Sequence, residues 1–352
     1  MAPDRERNRW DAFLALCDAR LREFAREPEA IFWTFVFPVM LTVALGFAFR
    51  NRPLDPPPVA IVDGAGAAEL MRALEAAGGF RPTLLPEAGA ARALRLGRAD
   101  LVVVPGPAGA PEYRLDPTRP ESALARRAVD EALQRAAGRV DAFTPRERAV
   151  VEPGSRYVDF LVPGLIGLGL MNGGLWGVGF SIVDMRMKKL LKRMLATPLR
   201  RPDFMAAIMC VRIAAMFVEV AFLLVFARLA LGVPIRGSWA AIFAVGAAGA
   251  FGFGGLGVLL ASRATRIESV MGLMNVVSLP MTIGCGVFFS IERFPEAAQP
   301  LLRALPLALL NDALRAVVTE GASLASQAMP LAALAIWGAV CLAAGIRIFR
   351  WS

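Results

Sequence analysis

The 352-residue chain contains no histidine and only two tyrosines. Without histidine, the commonest general base near neutral pH and the commonest zinc ligand are both missing. The four cysteines, Cys17, Cys210, Cys285 and Cys341, are too scattered for a metal cluster. None falls within 50–156, so that stretch has no internal disulfide. No G-x-x-x-x-G-K-[ST] run occurs, so the chain has no P-loop of its own to cradle nucleotide phosphates. No Ser/His/Asp, Cys/His or paired-carboxylate constellation is present, and acid–base chemistry would have to rest on Glu, Asp or Lys. These absences point away from an enzyme.

What the chain has in quantity is apolar surface. It is 56% hydrophobic. The runs 31–49, 158–183, 205–231, 239–262, 270–289 and 329–349 are each close to the roughly 20 residues needed to cross a bilayer. The expected class is therefore an α-helical integral membrane protein with six transmembrane helices. A net charge of +9 raises the question of nucleic acid. The basic residues cluster beside the spans, so topology and anionic lipid account for them and no nucleic-acid partner is expected.

Two regions lie outside this pattern. Residues 1–30 predict an amphipathic interface helix, with Trp10, Phe13, Leu14, Cys17, Leu21 and Phe24 at helical spacing. Residues 50–156 are more polar. Strands are expected at 59–62, 101–104 and 112–115, and helices at 67–77, 88–99 and 120–139. That alternation predicts a small α/β domain inserted after the first span. The stretch 292–322 is interrupted by Pro295, Pro300 and Pro306 and is too broken for a full crossing. Two half-inserted helices or a surface loop would both fit it.

Orientation follows from Lys and Arg in the short flanks. Arg20, Arg22 and Arg26, the loop 184–204, Arg263 with Arg266, and Arg347 with Arg350 all fall on one side if both termini are cytoplasmic. The α/β domain is then extracytoplasmic, since domains of that length translocate largely regardless of charge.

Several motifs bear on function. Gly252-Phe-Gly254-Gly-Leu-Gly257 matches a dinucleotide pattern but sits inside an apolar span, where the required strand and helix N-terminus are missing. Gly64-Ala-Gly66 follows a strand but has Glu69 in place of the third glycine and reads as a turn. Gly169, Gly173 and Gly177 form a small-residue stripe for helix packing, and Gly246, Ala250 and Gly254 form another. Glu219 is a carboxylate deep in the third span, with Arg212 two turns away on the same face. Leaving a charge at the bilayer centre costs about 3 kcal/mol, so Glu219 must face protein or water. It is either part of a substrate path or a structural, ion-paired group; Asn172 and Asn275 are lesser polar candidates. Finally, 184–201 is a dense basic helix between two spans, carrying Arg186, Lys188, Lys189, Lys192 and Arg193. It is either a contact for a soluble motor or a lipid-facing anchor.

Tyr157-Val-Asp159-Phe160-Leu-Val-Pro163-Gly164 at the start of the second span resembles the ABC-2 type transporter permeases. So do Leu195-Ala-Thr197-Pro198 at the end of the basic helix, Leu305-Pro-Leu-Ala-Leu-Leu-Asn-Asp312-Ala-Leu-Arg315, and Arg26-Glu27-Pro28 before the first span. Ala91-Arg-Ala-Leu-Arg-Leu-Gly97-Arg-Ala-Asp100 is similar to the domain inserted between spans 1 and 2 in many members. Each match is loose; their order and spacing carry the resemblance. One departure stands out: many relatives have a glycine after span 2, and 185–189 has none. The resemblance implies the permease subunit of an exporter in the bacterial inner membrane. It would pair with a second permease copy or paralogue and with ABC ATPase subunits that bind the ATP. Arg186, Lys189, Leu190, Leu191, Lys192, Arg193 and Met194 would form the ATPase-coupling helix. In that reading Leu190, Leu191 and Met194 seat in a groove of the ATPase while the charges pair with its acidic rim. Two other readings stay open: a membrane sensor or scaffold using the external domain, and an ion-gradient transporter with Glu219 as proton carrier.

Overall fold

In a computed structural model the protein is described over residues 2–48, 56–106, 110–140, 143, 146, 156–195 and 201–351. It divides into two compact units, one made of 1–50 with 151–352 and the other of 51–150. Thr197 and Pro198 of the basic segment lie outside the described residues.

The first unit opens with α1 (Ala2–Arg26) and α2 (Pro28–Ala48). Pro28 sits in the first turn of α2, where its missing N–H leaves no hydrogen bond unmade. Pro38 is different, because an interior proline removes a ladder bond and crowds the preceding turn. The backbone answers with a widened turn at Phe32–Val36, closed by Phe37 N–H donating to the Phe32 carbonyl. The Thr42 hydroxyl then donates to the Pro38 carbonyl at 2.6 Å.

The second unit runs β1 (Pro58–Val62), α3 (Ala67–Ala77), β2 (Arg81–Leu85), α4 (Glu87–Arg95), β3 (Leu101–Val104), β4 (Glu112–Arg114) and α5 (Pro120–Ala136). The sheet order is β2-β1-β3-β4, with β1 parallel to both β2 and β3 and β4 antiparallel at one edge. Strand side chains alternate between faces. Val59, Ile61, Leu101 and Val103 therefore point to one face, where α3 and α5 supply Leu74, Ala125 and Val129. Ala60, Val62 and Val102 point to the other, under Ala90 of α4 and Ala99. The chain steps from β1 to β2 and then back past β1 to β3. Two right-handed crossovers in opposite directions put α3 and α4 on opposite faces, as observed. Strand β2 was not expected from the sequence. It holds Pro82, which a central strand rejects, and it is tolerated because β2 is an edge.

The rest of the first unit comprises α6 (Tyr157–Met187), α7 (Leu190–Leu195), α8 (Arg201–Leu231), α9 (Trp239–Ala261), α10 (Ile267–Gly284), α11 (Gln299–Arg303), α12 (Pro306–Arg315) and α13 (Ala325–Ile348). Six helices among the described residues, α2, α6, α8, α9, α10 and α13, are long and apolar enough to cross a membrane. Helix α6 is the central one, with Leu161, Val162, Leu170, Met171 and Leu175 fully buried. It bears a widened stretch, Gly173–Phe180. There α6 meets α9 backbone to backbone: a Cβ on Gly257 would collide with the Gly174 carbonyl, and one on Gly255 with the Gly338 carbonyl of α13. The dinucleotide-like glycine run is thus a packing surface inside α9.

The stretch 292–322 forms α11 and α12, followed by a widened turn at Ala316–Glu320. Leu307, Leu310, Asn311 and Leu314 of α12 are fully buried, and α12 packs on α6 and α9. At the start of α6, the Arg156 guanidinium bonds the buried Asp159 at 2.8 Å and the Leu231 and Gly232 carbonyls at 3.0 and 2.9 Å, tying that end of α6 to the end of α8.

Helix α1 packs along α8. The expected stripe is split: Phe13, Cys17 and Phe24 are half-buried together with Leu16 and Arg20, whereas Leu14 and Leu21 point outward at 60% and 44% exposure. The Arg20 guanidinium donates to Ser181 Oγ at 3.1 Å, fastening α1 to α6. The Cys17 thiol lies within hydrogen-bonding reach of Cys210 on α8, and burial first, then this neighbour, push it above the ordinary thiol range. In intact membranes, diamide should therefore cross-link Cys17 to Cys210, and either Cys→Ser change should abolish the product on a peptide map. Absence of the bond in the unaltered chain would mean that α1 does not stay on α8.

Candidate functional site

The basic segment is built by a break at the end of α6. Lys188 N–H and Lys189 N–H bond back to the Asp184 and Arg186 carbonyls, and Lys189 adopts the left-handed conformation, φ +57°. Such a backbone costs a residue with a Cβ about 1 kcal/mol and is the conformation that glycine supplies freely. Lys189 therefore occupies the kind of position at which glycine is usual. The turn redirects the chain into α7.

Two parts of the expected coupling set pack inside the chain. Arg186 is 7% exposed. Its guanidinium donates to the carbonyls of Ala261 at 2.9 Å, Ser262 at 3.0 Å and Arg350 at 3.1 Å, with a further bond to Ala264, and it lies 5.0 Å from the centre of the Phe349 ring. These are the ends of α9 and α13, where unpaired carbonyls carry the negative pole of the helix dipole. The apolar side of α7 is also taken. Leu191 is fully buried among Val183, Met185, Phe204 and Val270, and Leu190 and Met194 pack against the same cluster. These leucines fill the core of their own chain because an apolar helix face buries against the nearest apolar surface. What remains outward is Met187, Lys188, Lys189, Lys192 and Arg193. Lys188 forms an ion pair with Asp184 at 2.8 Å.

The second candidate lies at the α6–α8 contact. Arg212 Nη2 donates to Glu219 Oε2 at 3.1 Å, and the two residues are 8% and 6% exposed. The glycine stripe makes this possible. A Cβ on Gly173 would fall inside the Arg212 guanidinium, and one on Gly169 would collide with Glu219 Oε1. Gly177, in contrast, has no atom of another described element within 4 Å of its Cβ position. Gly246 and Gly254 of the second stripe face Met216 and Met209 of α8. Arg212 Nε is buried without a hydrogen-bond partner among the described residues. Asn172 is half-buried and Asn275 lies on an exposed face of α10, so Asn275 is not part of this site.

A third polar cluster was not anticipated. Arg315 sits 3.8 Å from the Phe160 ring centre, donates to the Phe160 carbonyl at 3.4 Å and to the Gly286 carbonyl, and lies 3.5 Å from Asp312. Buried Asn311 donates to the Cys285 carbonyl at 3.0 Å. The only sequence signal for it was the Asn-Asp-Ala-Leu-Arg spacing, which puts Asn311 and Arg315 one turn apart on a helix face.

Six long apolar helices that bury an Arg212–Glu219 ion pair define a multi-pass membrane protein. The model of the ABC-2 family transporter proteins matches residues 28–347, and the chain belongs to that family. It is thus the membrane subunit of a transporter, a family that normally works with an ABC ATPase subunit. No curated protein and no solved structure gave a match.

The pairing predicts a specific mutational pattern. Glu219→Gln leaves a buried guanidinium without its counter-ion and should destabilise the bundle by about 3 kcal/mol. Adding Arg212→Met should recover most of that loss, measured as thermal aggregation in detergent. Additive losses in the double variant would show that the two side chains do not interact.

Proposed function

We propose that this chain is the permease subunit of an ATP-driven exporter in a bacterial inner membrane. Both termini face the cytoplasm and the α/β unit lies outside, because that arrangement puts the basic flanks on one side. The ATP is bound by a separate ABC ATPase, and a second permease copy or paralogue completes the assembly. The family assignment supports this reading, together with the missing P-loop.

One observation carries the coupling step. The turn at Lys189 presents Met187, Lys188, Lys189, Lys192 and Arg193 outward, while Arg186 and Leu191 anchor the same segment to the ends of α9 and α13 and to the core. A push on the exposed lysines is therefore passed to α6, α9 and α13 as a rigid unit. In this account the ATPase contributes an acidic surface, and no apolar groove for leucines is required. The proton-carrier reading is weaker, because Glu219 is held by Arg212 and sealed against Gly169.

Lys192→Gln with Arg193→Gln should weaken co-purification with the ATPase by about tenfold, since charged rims set such contacts. The same exchange at the exposed Arg126 and Arg127 of α5 should leave it unchanged. Undiminished co-purification of the Lys192/Arg193 variant would contradict the assignment.

A further inference from the structure

The α/β unit carries a groove that the transport reading does not use. Helix α4 sits over β1 and β3, where Ala90 and Ala99 allow it to lie close. It is nine residues long and covers Leu85 of edge strand β2 while leaving Thr83 of that strand exposed. The resulting cavity is about 410 Å³ and is floored by Ala60, Thr83 and Leu85, with Gly89, Arg92 and Leu96 along its wall. Those three wall residues are spaced i, i+3, i+7, so they share one side of the helix. Arg98 and Pro58 close one end.

Its charge is one-sided. Two arginines, Arg92 and Arg98, line the groove and no lining residue is acidic. The neighbouring carboxylates are already committed: Glu87 pairs with Arg114 at 2.9 Å, and Asp100 with Arg119 at 3.3 Å. Arg92 and Arg98 have no carboxylate partner among the described residues. A guanidinium fork matches phosphate geometry, and the apolar floor beside it suits a short hydrocarbon body. A cavity of this size lies in the range of small-molecule sites.

We propose that this groove binds an amphiphilic phosphomonoester, its phosphate between Arg92 and Arg98 and its apolar part on Leu85, Leu96 and Pro58. The phosphate could belong to a soluble ester or to the headgroup of a short-chain lipid. The test is hydrogen-exchange mass spectrometry on the full chain in nanodiscs, with butyl phosphate and dihexanoyl phosphatidic acid as separate probes. Protection of peptides spanning 83–99 by butyl phosphate would assign a soluble ligand, and protection by the phosphatidic acid alone would assign a lipid. Arg92→Ala with Arg98→Ala should weaken that binding by about tenfold or more while the unit's other peptides keep their protection. The proposal fails if neither probe protects 83–99, if the double variant binds equally well, or if butanol or inorganic phosphate alone protects as strongly as the esters.

Discussion

The structure depends on one constraint: inside a membrane no water is present to satisfy a charge, so every buried cation must find oxygen or π electrons within the chain. Arg186, Arg212 and Arg315 meet that demand in three ways, and half-exposed Arg156 at the start of α6 makes a comparable set of bonds. Arg156 uses a carboxylate and two carbonyls at the end of α8. Arg186 uses carbonyls at the ends of α9 and α13. Arg212 uses Glu219, and Arg315 uses the Phe160 ring with backbone carbonyls. Arg156, Arg186 and Arg315 each join α6 to another helix, while Arg212 pairs with Glu219 on its own helix and lies 3.5 Å from the Gly169 carbonyl of α6. The arginines therefore specify which helix ends meet, a task that apolar packing alone leaves loosely defined.

Space for these side chains comes from glycine. Gly169 and Gly173 open a recess in α6 for Glu219 and Arg212, while Gly174 and Gly257 let α6 and α9 touch through their backbones. In lipid there is little hydrophobic drive between helices, so such close contact is a main source of association energy. The widened turns of α6 begin at Gly173, in the same region as the ion pair. The polar recess, the close crossing and the altered helical turns thus coincide in one layer of the bundle.

Much of this was legible in the sequence, and the failures are informative. Six apolar runs appeared as six long helices because length and hydropathy suffice for that inference. Glu219 and Arg212 were seen to share a helix face, since seven residues make nearly two turns. The role of Gly169 and Gly173 as their receptacle was not visible, because a stripe shows a small surface and does not name its neighbour. Strand β2 was hidden by Pro82 and by its exposed edge position. Leu190, Leu191 and Met194 were read as one apolar face and assigned to a partner. Only the fold shows that Leu191 is buried in one cluster with Phe204 and Val270 of the same chain. Arg186 was grouped with the basic run by proximity, although it lies on α6 before the turn at Lys189 and points the other way.

The account's central claim is that the segment after α6 is fixed to the bundle by its inner side and shows only its charged side to the cytoplasm. Single cysteines at positions 191 and 192, in a chain with the native cysteines replaced by serine, test it directly. A membrane-impermeant maleimide should label Lys192→Cys readily in inside-out vesicles and not in intact cells, with Leu191→Cys protected in both. Labelling of Lys192→Cys from outside the cell, or equal labelling of Leu191→Cys and Lys192→Cys in the vesicles, would contradict it.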